Sequence, residues 1–224
     1  TNDRPEAVTH AFQQIPRHVA GRPKANTTSG TWMKTLRVGN PKSFALESGI
    51  TQAYARLSFR ALGFFVVYLQ GNIYGVREPD ASMLACSFDK VSDRIKRRGK
   101  HVSHLVREDA ANIVEAYRSV LYIGDQPDRC FFSMEQHAFA KHVHASKISW
   151  APDGDEAFDD GSYILQFDNA TTVRLIAFKS MDTLQESLAT LSDITIDAAE
   201  YYGILNEWHT KFEAEWLGAP KDDA

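Results

Sequence analysis

The apolar run Leu62–Leu69, which reads Leu-Gly-Phe-Phe-Val-Val-Tyr-Leu, restricts the possible folds of this chain more than any other feature. No charged residue interrupts it, and it is rich in the aromatic and β-branched residues that favour strands. It is much shorter than the roughly 20 apolar residues needed to span a membrane. The run therefore predicts a buried strand at the centre of a sheet.

Turn signals divide the sequence around this run into further strands. Gln70-Gly71-Asn72 separates Phe64–Leu69 from Ile73–Arg77, a pattern typical of a β-hairpin. Asp168-Asn169-Ala170 connects two more strands in the same way. Those two strands are Tyr163–Asp168 and Thr172–Lys179, and we also predict strands over Met33–Val38, Phe44–Ser48, Gln52–Phe59 and Lys147–Trp150.

Three segments carry helical spacing instead. Apolar residues recur every three or four positions from Leu84 to Ile95, and again over residues 108–121. The third predicted helix, Ala198–Leu217, has an unusually aromatic stripe. That stripe consists of Tyr201, Ile204, Leu205, Trp208, Phe212 and Trp216. Helical spacing on one face indicates core packing, so we interpret the aromatic residues as core rather than contact residues.

The order of these elements predicts an α+β fold, with a mainly antiparallel β-sheet and three main helices packed on it. Residues 21–30 are rich in Gly, Pro, Ser and Thr, which is typical of a linker. We therefore predict that residues 1–30 form an N-terminal appendage and linker. Residues 31–224 then form a single domain, a size that the 224-residue chain easily supports.

Composition points to the cytoplasm. The chain has only two cysteines, Cys86 and Cys130, and no C-x-x-C pair, so it carries no disulfide framework. Its N-terminus lacks the apolar core of a secretory signal. We expect a cytoplasmic protein without a membrane partner.

Charge is distributed unevenly along the chain. Residues 1–150 contain 21 Lys and Arg against 13 Asp and Glu, whereas residues 151–224 contain 4 against 16. The net charges are therefore +8 and −12. Such a split predicts a strongly acidic surface that suits a basic partner, unless the two segments intermix in space and cancel.

A cluster of histidines is the strongest candidate for a metal site. His137, His142 and His144 are spaced H-x4-H-x-H, and a strand would place His142 and His144 on the same side. Zinc needs three or four ligands, so His137 or a nearby carboxylate would have to complete the shell. No second motif of this kind is present, and we expect no metal or other cofactor. A metal-dependent hydrolase using these histidines remains an alternative.

Other motifs argue against catalysis. Phosphate-binding glycine loops, the G-x-S-x-G elbow and H-E-x-x-H are absent from the sequence, so we predict no catalytic residues. The acidic run Asp153–Asp160 does not follow the ligand order of an EF-hand. The basic run Arg94–Lys100 leaves a nucleic-acid-binding regulatory domain as a second alternative. That run lacks interleaved aromatic residues, and the sequence pI is about 6.0, so we expect no nucleic-acid partner.

Four stretches carry a resemblance to a known family. They are VGNPKSFALES (Val38–Ser48), FVVYLQGNIYGV (Phe65–Val76), VRLIAFKS (Val173–Ser180) and YYGILNEWHTKFEAEW (Tyr201–Trp216). Their order and spacing resemble the α+β immunity proteins of bacterial polymorphic-toxin systems, over roughly residues 33–217. Within that family the chain is similar to the group that begins with a Gly-Asn-Pro strand turn and ends on an aromatic helix.

The resemblance implies a small cytoplasmic immunity protein that binds a cognate toxin domain and occludes its active site, with no catalysis of its own. A basic toxin would be attracted to an acidic inhibitor. We therefore predict a mobile acidic loop between two strands as the toxin-binding site, and leave the oligomeric state open. The predicted toxin-binding residues are Trp150, Asp153, Asp155, Glu156, Phe158, Asp159 and Asp160, with Trp150 and Phe158 as apolar anchors.

Overall fold

The computed structural model describes residues 35–122 and 129–222. The predicted appendage and linker, residues 1–30, lie outside these ranges and stay a prediction. These two ranges build an α+β domain whose sheets are antiparallel, as the sequence predicts.

The first sheet has the apolar run at its centre. That run lies in β3, which pairs with β2 along one edge and with β4 and β5 along the other. The connection from β3 to β4 is the two-residue turn Gln70-Gly71, and both residues have positive φ, as in a type I′ hairpin. The strands are β1 (Thr35–Gly39), β2 (Phe44–Ala53), β3 (Ala61–Leu69), β4 (Asn72–Tyr74) and β5 (Ser82–Met83).

A short strand pair precedes the second sheet. The second sheet has the strand order β11-β10-β9-β8, and its two long strands form the predicted hairpin. The remaining strands are β6 (Cys130–Phe131), β7 (Met134–Glu135), β8 (Ser149–Ala151), β9 (Ser162–Asn169), β10 (Thr172–Lys179) and β11 (Ser192–Asp197), of which β6 and β7 pair with each other.

All three predicted helices are present, and two further helices were not predicted. The predicted ones are α1 (Leu84–Lys96), α2 (Ala110–Tyr122) and α5 (Ala198–Gly218). The unforeseen ones are α3 (Gln136–Ser146) and α4 (Leu184–Ala189). A capping box in which Thr183 and Glu186 exchange hydrogen bonds fixes the start of α4.

Two other features differ from the sequence-based expectation. The predicted strands Phe44–Ser48 and Gln52–Phe59 are not separate, because Gly49 and Ile50 continue the ladder with β3 in one strand, β2. This strand ends at Ala53, so the predicted strand over residues 54–59 is wrong. The strands also form two main sheets instead of one. Sheet membership depends on pairing between distant segments, which local sequence patterns do not encode.

The aromatic helix α5 occupies the main core between the two sheets. It contacts β1 and β2 of the first sheet and β10 and β11 of the second. The opposite face of the second sheet packs on α2 and α3, around Phe167 and Phe178. The whole aromatic stripe of α5 is buried, which confirms its interpretation as core.

Trp208 is the central side chain of this layer. Its indole stacks on Phe212 at 5.1 Å between ring centroids and meets Phe65 edge-on at 4.9 Å. Its Nε1 donates to Ser48 Oγ at 3.1 Å, so its one polar atom is satisfied in the core. Trp208 thus joins α5 to two strands of the first sheet.

Replacing Trp208 with alanine should lower the free energy of unfolding by about 3–5 kcal/mol, because the change leaves a cavity and an unpaired Ser48 hydroxyl. Urea unfolding followed by circular dichroism measures the effect. Leu217→Ala on the same helix is the control, since Leu217 is 65% exposed and should change stability by about 0.5 kcal/mol or less. Equal effects of the two substitutions would contradict the central role of Trp208.

Candidate functional site

The predicted acidic loop is the connection from β8 to β9, residues 152–161, referred to below as the acidic connection. It contains a short 3-10 helix, Glu156–Phe158. The buried carboxylate of Asp155 begins that helix by accepting from the Ala157 amide, and it also accepts from Ser87 Oγ of α1 at 2.7 Å. Burial raises the pKa of Asp155, although both hydrogen bonds oppose the shift.

Three of the seven predicted contact residues lie in the core. Trp150 is 1% exposed and packs against Phe44 and Tyr201, while Phe158 packs edge-on against Phe65. Asp155 is equally buried. We therefore correct the expectation that Trp150 and Phe158 are surface anchors. Their flanking carboxylates suggested exposure, but the strand and the 3-10 helix turn these rings inward.

The other four acidic residues reach the surface. Asp153, Glu156 and Asp159 are exposed, and Asp160 is partly exposed. Their role in contact stays a prediction.

Ion pairs hold two of the surface carboxylates. Asp153 pairs with Lys90 of α1, and Asp160 pairs with Lys179 of β10 at 2.7 Å. Together with the buried Asp155, these bonds attach the acidic connection to its neighbours at several points. The predicted position between two strands is confirmed. The predicted mobility of the loop stays a prediction, and these attachments are restraints on it.

The histidine cluster is dispersed because its segment is helical. His137, His142 and His144 all lie on α3, not on a strand. Residues two positions apart on an α-helix are rotated by about 200° about the helix axis, so His142 and His144 point to nearly opposite sides. Within residues 35–122 and 129–222, no three His, Cys, Asp or Glu side chains are grouped to hold a metal.

His142 has local partners instead. Its Nε2 lies 2.7 Å from Ser103 Oγ, and its ring lies 4.8 Å from that of His104. Burial and the neighbouring His104 lower the pKa of His142. The thiol of Cys86 is also poorly suited to attack, because burial raises its pKa to about 11.

A buried polar network beside α5 was not foreseen from the sequence. The Asp168 carboxylate accepts from the His101 amide at 3.0 Å and from the Tyr202 hydroxyl at 2.9 Å. Gln166 bonds to Asp168 and to both tyrosines of α5, Tyr201 and Tyr202. The network thus ties β9 to α5 and to the segment that follows α1.

Arg94 extends this network under the basic run. Although it begins that run, its side chain is only 5% exposed. Its guanidinium donates to the carbonyls of Lys147 and Ser149 and lies 3.1 Å from His101 Nδ1. Burial lowers the pKa of Arg94. The rest of the run, by contrast, reaches the surface.

A third buried carboxylate, that of Glu47, lies on the other side of the first sheet. Glu47 accepts hydrogen bonds from Arg37, Arg77 and Tyr68. Burial alone would raise the pKa of Glu47, but these three bonds outweigh it and lower the pKa. The two arginines are half-exposed and stack on Tyr68 and Phe64. We therefore interpret Glu47 and its two arginines as a structural ion-pair cluster.

The His101 environment makes stability depend on pH. Burial and the charge of Arg94 lower the pKa of His101 from 6.5 to about 4. Between these values the unfolded chain binds a proton that the folded chain does not. The free energy of unfolding should therefore fall as pH is lowered from 6.5 towards 4, by at most about 1.4 kcal/mol per pH unit.

The check is urea unfolding at several pH values between 7 and 4.5. His101→Asn keeps a donor for the Lys147 carbonyl but cannot titrate, so it should flatten the slope relative to the wild type. His137→Asn, at an exposed position on α3, is the matched control and should leave the slope unchanged. A His101→Asn variant with the full wild-type slope would show that another group causes the dependence.

Comparisons with known proteins identify a matching family. A sequence model of the family described as Immunity protein 42 matches residues 33–211. No curated protein matches the chain in sequence. The crystal structure of CdiI from Burkholderia dolosa AUO158 is similar at 15% sequence identity and a TM-score of 0.49, covering 79% of this chain and 99% of that chain. The matched family region extends from β1 into α5 and includes both main sheets.

One further finding concerns membranes. In the two described ranges, no helix is both long and apolar enough to cross a bilayer.

Proposed function

The chain belongs to the Immunity protein 42 family, and we propose on this basis that it binds a cognate toxin domain and neutralises it by occluding the toxin's active site. The family assignment confirms the resemblance to immunity proteins that the sequence stretches indicate. The observation that carries the proposal is the extent of the match, which includes almost every described element. In this proposal the protein acts in the cytoplasm as a non-catalytic inhibitor of a basic toxin.

The acidic connection supplies a surface suited to this role. Glu156 is exposed and enters no ion pair in the part of the chain that the structure describes, and Asp153 lies nearby with a single lysine partner. The buried Asp155 lies between them in sequence, and the buried Phe158 follows Glu156 by two residues, so both carboxylates are attached to the core. A surface fixed before binding loses little conformational entropy on association, and its charge would steer a basic toxin towards it.

The metal-dependent hydrolase alternative has no comparable support. It needs His137, His142 and His144 to converge on one ion, and α3 turns His142 away from His144. His142 is also engaged with Ser103. We therefore do not favour catalysis by this cluster.

The proposal predicts that an adjacent gene encodes a toxin domain, that this protein rescues growth of cells that express that domain, and that the two proteins copurify. Neutralising the acidic connection with Asp153→Asn and Glu156→Gln should weaken the complex by about tenfold or more, because charge complementarity is lost. Titration calorimetry gives the Kd.

The control is the double variant Asp182→Asn and Glu213→Gln, which removes the same charge at two other exposed positions. Asp182 lies just before α4, and Glu213 lies on α5. It should bind as the wild type does. A wild-type protein that neither rescues nor binds the toxin would refute the function. A wild-type Kd for the Asp153 and Glu156 variant would refute only the contact role of the acidic connection.

A further inference from the structure

A basic surface lies where α1 and α3 end. It consists of the exposed residues Arg97, Arg98, Lys100 and Lys147, with the apolar side chain of Val102 among them, and we refer to these five residues as the basic surface. Residues 97–102 and Lys147 are distant in sequence. The fold joins them because the Arg94 and His101 side chains both bond to the Lys147 carbonyl.

The four cations enter no ion pair within residues 35–122 and 129–222. Arg97 and Lys147 are the C-caps of α1 and α3, where a cation interacts favourably with the helix dipole. Arg98 and Lys100 lie beyond α1, and the dipole does not account for them. The acidic connection differs, because Asp153 and Asp160 there have cationic partners in the chain.

Lys147 occupies an unfavourable backbone position for its residue type. Its φ is 53°, in the left-handed region, where glycine is the usual C-cap residue. A side chain with a β-carbon costs conformational energy there, about 1–2 kcal/mol. The Lys147 backbone is bonded to His144, Arg94 and His101, but its exposed ammonium group enters no ion pair within the described chain that would favour lysine over glycine here.

Val102 protrudes from a fixed segment. It is 60% exposed, whereas its neighbours His101 and Ser103 are buried. The His101 backbone exchanges hydrogen bonds with Asp168, and Ser103 bonds to His142 and to the Leu105 amide. Both sides of Val102 are therefore anchored, and its apolar side chain is presented to solvent without freedom to fold inward.

We infer that the basic surface is a contact site for an acidic patch on the toxin, with Val102 filling an apolar pocket at its centre. This inference rests on the proposed function and names the chemistry of the partner's surface. An exposed apolar side chain with cations close to it in the fold suits a protein interface, which has an apolar centre and a polar rim. Nucleic acid fits less well, because its phosphate backbone has no apolar pocket and the basic surface contains no exposed aromatic side chain for stacking.

One partner can reach both the basic surface and the acidic connection. Lys90 of α1 pairs with Asp153, and Arg97 caps the same helix seven residues later. Seven residues of helix span about 10 Å. A standard interface of about 800 Å² per partner is wide enough for that distance. The toxin surface would then be basic opposite the acidic connection and acidic opposite the basic surface.

The test measures association with the toxin domain encoded by the adjacent gene by surface plasmon resonance. Lys100→Gln combined with Lys147→Gly removes two charges, and glycine also suits the left-handed position, so the fold should be retained. We expect the association rate to fall about tenfold at 50 mM NaCl, with the difference largely lost at 0.5 M NaCl. Val102→Ala should raise the dissociation rate about fivefold, since contact losses appear mainly in dissociation.

Arg56→Gln, which removes one positive charge elsewhere on the surface, is the control. Arg56 is exposed, enters no ion pair in the described ranges, and lies in the loop that contacts Trp216 near the C-terminal end of α5. Arg98 stacks instead on Tyr202 near the other end of that helix, about 21 Å away along the axis. Arg56→Gln should leave both rates unchanged, and thermal unfolding checks that all variants are folded.

The outcomes separate this inference from the proposed function. If the wild-type protein does not bind the toxin, both fall together. If it binds and the Lys100, Lys147 and Val102 variants bind with wild-type rates, only the role of the basic surface is refuted. A further outcome would also refute the role of the basic surface in toxin binding. In that outcome the wild-type protein binds a short RNA duplex in a salt-dependent way, and the variants lose this RNA binding but bind the toxin normally.

Discussion

The domain depends on hydrogen bonds made by one buried carboxylate, that of Asp168. It joins β9 to the segment after α1 through the His101 amide, and to α5 through the Tyr202 hydroxyl. A buried charge without such partners would cost several kcal/mol, so all of its bonding groups must be in place at once. The network therefore fixes the position of α5 against the second sheet, and α5 in turn fills the space between the two sheets.

Arg94 connects this network to the basic surface. It is buried although charged, and its guanidinium is satisfied mainly by the main-chain carbonyls of Lys147 and Ser149. It thereby aligns the end of α1 with the end of α3 and the start of β8. At the other end of α1, Ser87 holds the acidic connection through Asp155. One 13-residue helix thus positions both charged surfaces relative to the core.

The spacing of apolar residues correctly predicted the strands and helices whose apolar side chains form a clear pattern. The run in β3 and the stripe around Trp208 have strong patterns, and the structure places both as expected. The helix α3 was missed because only Phe139 and Val143 mark its buried face, among histidines that suggested a strand. The division into two sheets is set by long-range pairing, for which no local pattern exists.

The site was less predictable than the fold, for a physical reason. The sequence suggested that Arg94 belongs to a basic run available to a partner and that Trp150 is an anchor beside acidic residues. Both side chains are buried instead, and the charge of Arg94 can be placed inside because its bonds come from distant segments. The acidic run itself was located correctly between two strands, while its attachment through Asp155 follows from a serine 68 residues earlier.

The separation of the network from the surface has an evolutionary consequence. The bonds that hold the basic surface in place come from the Arg94 and His101 side chains and from the Lys147 carbonyl, which every residue type possesses. Side chains at positions 97, 100 and 147 are exposed and supply none of these bonds, whereas Arg98 also stacks on Tyr202. Mutations there can change the charge presented to a partner while leaving the fold intact. A family built in this way can follow changes in its toxins one surface residue at a time.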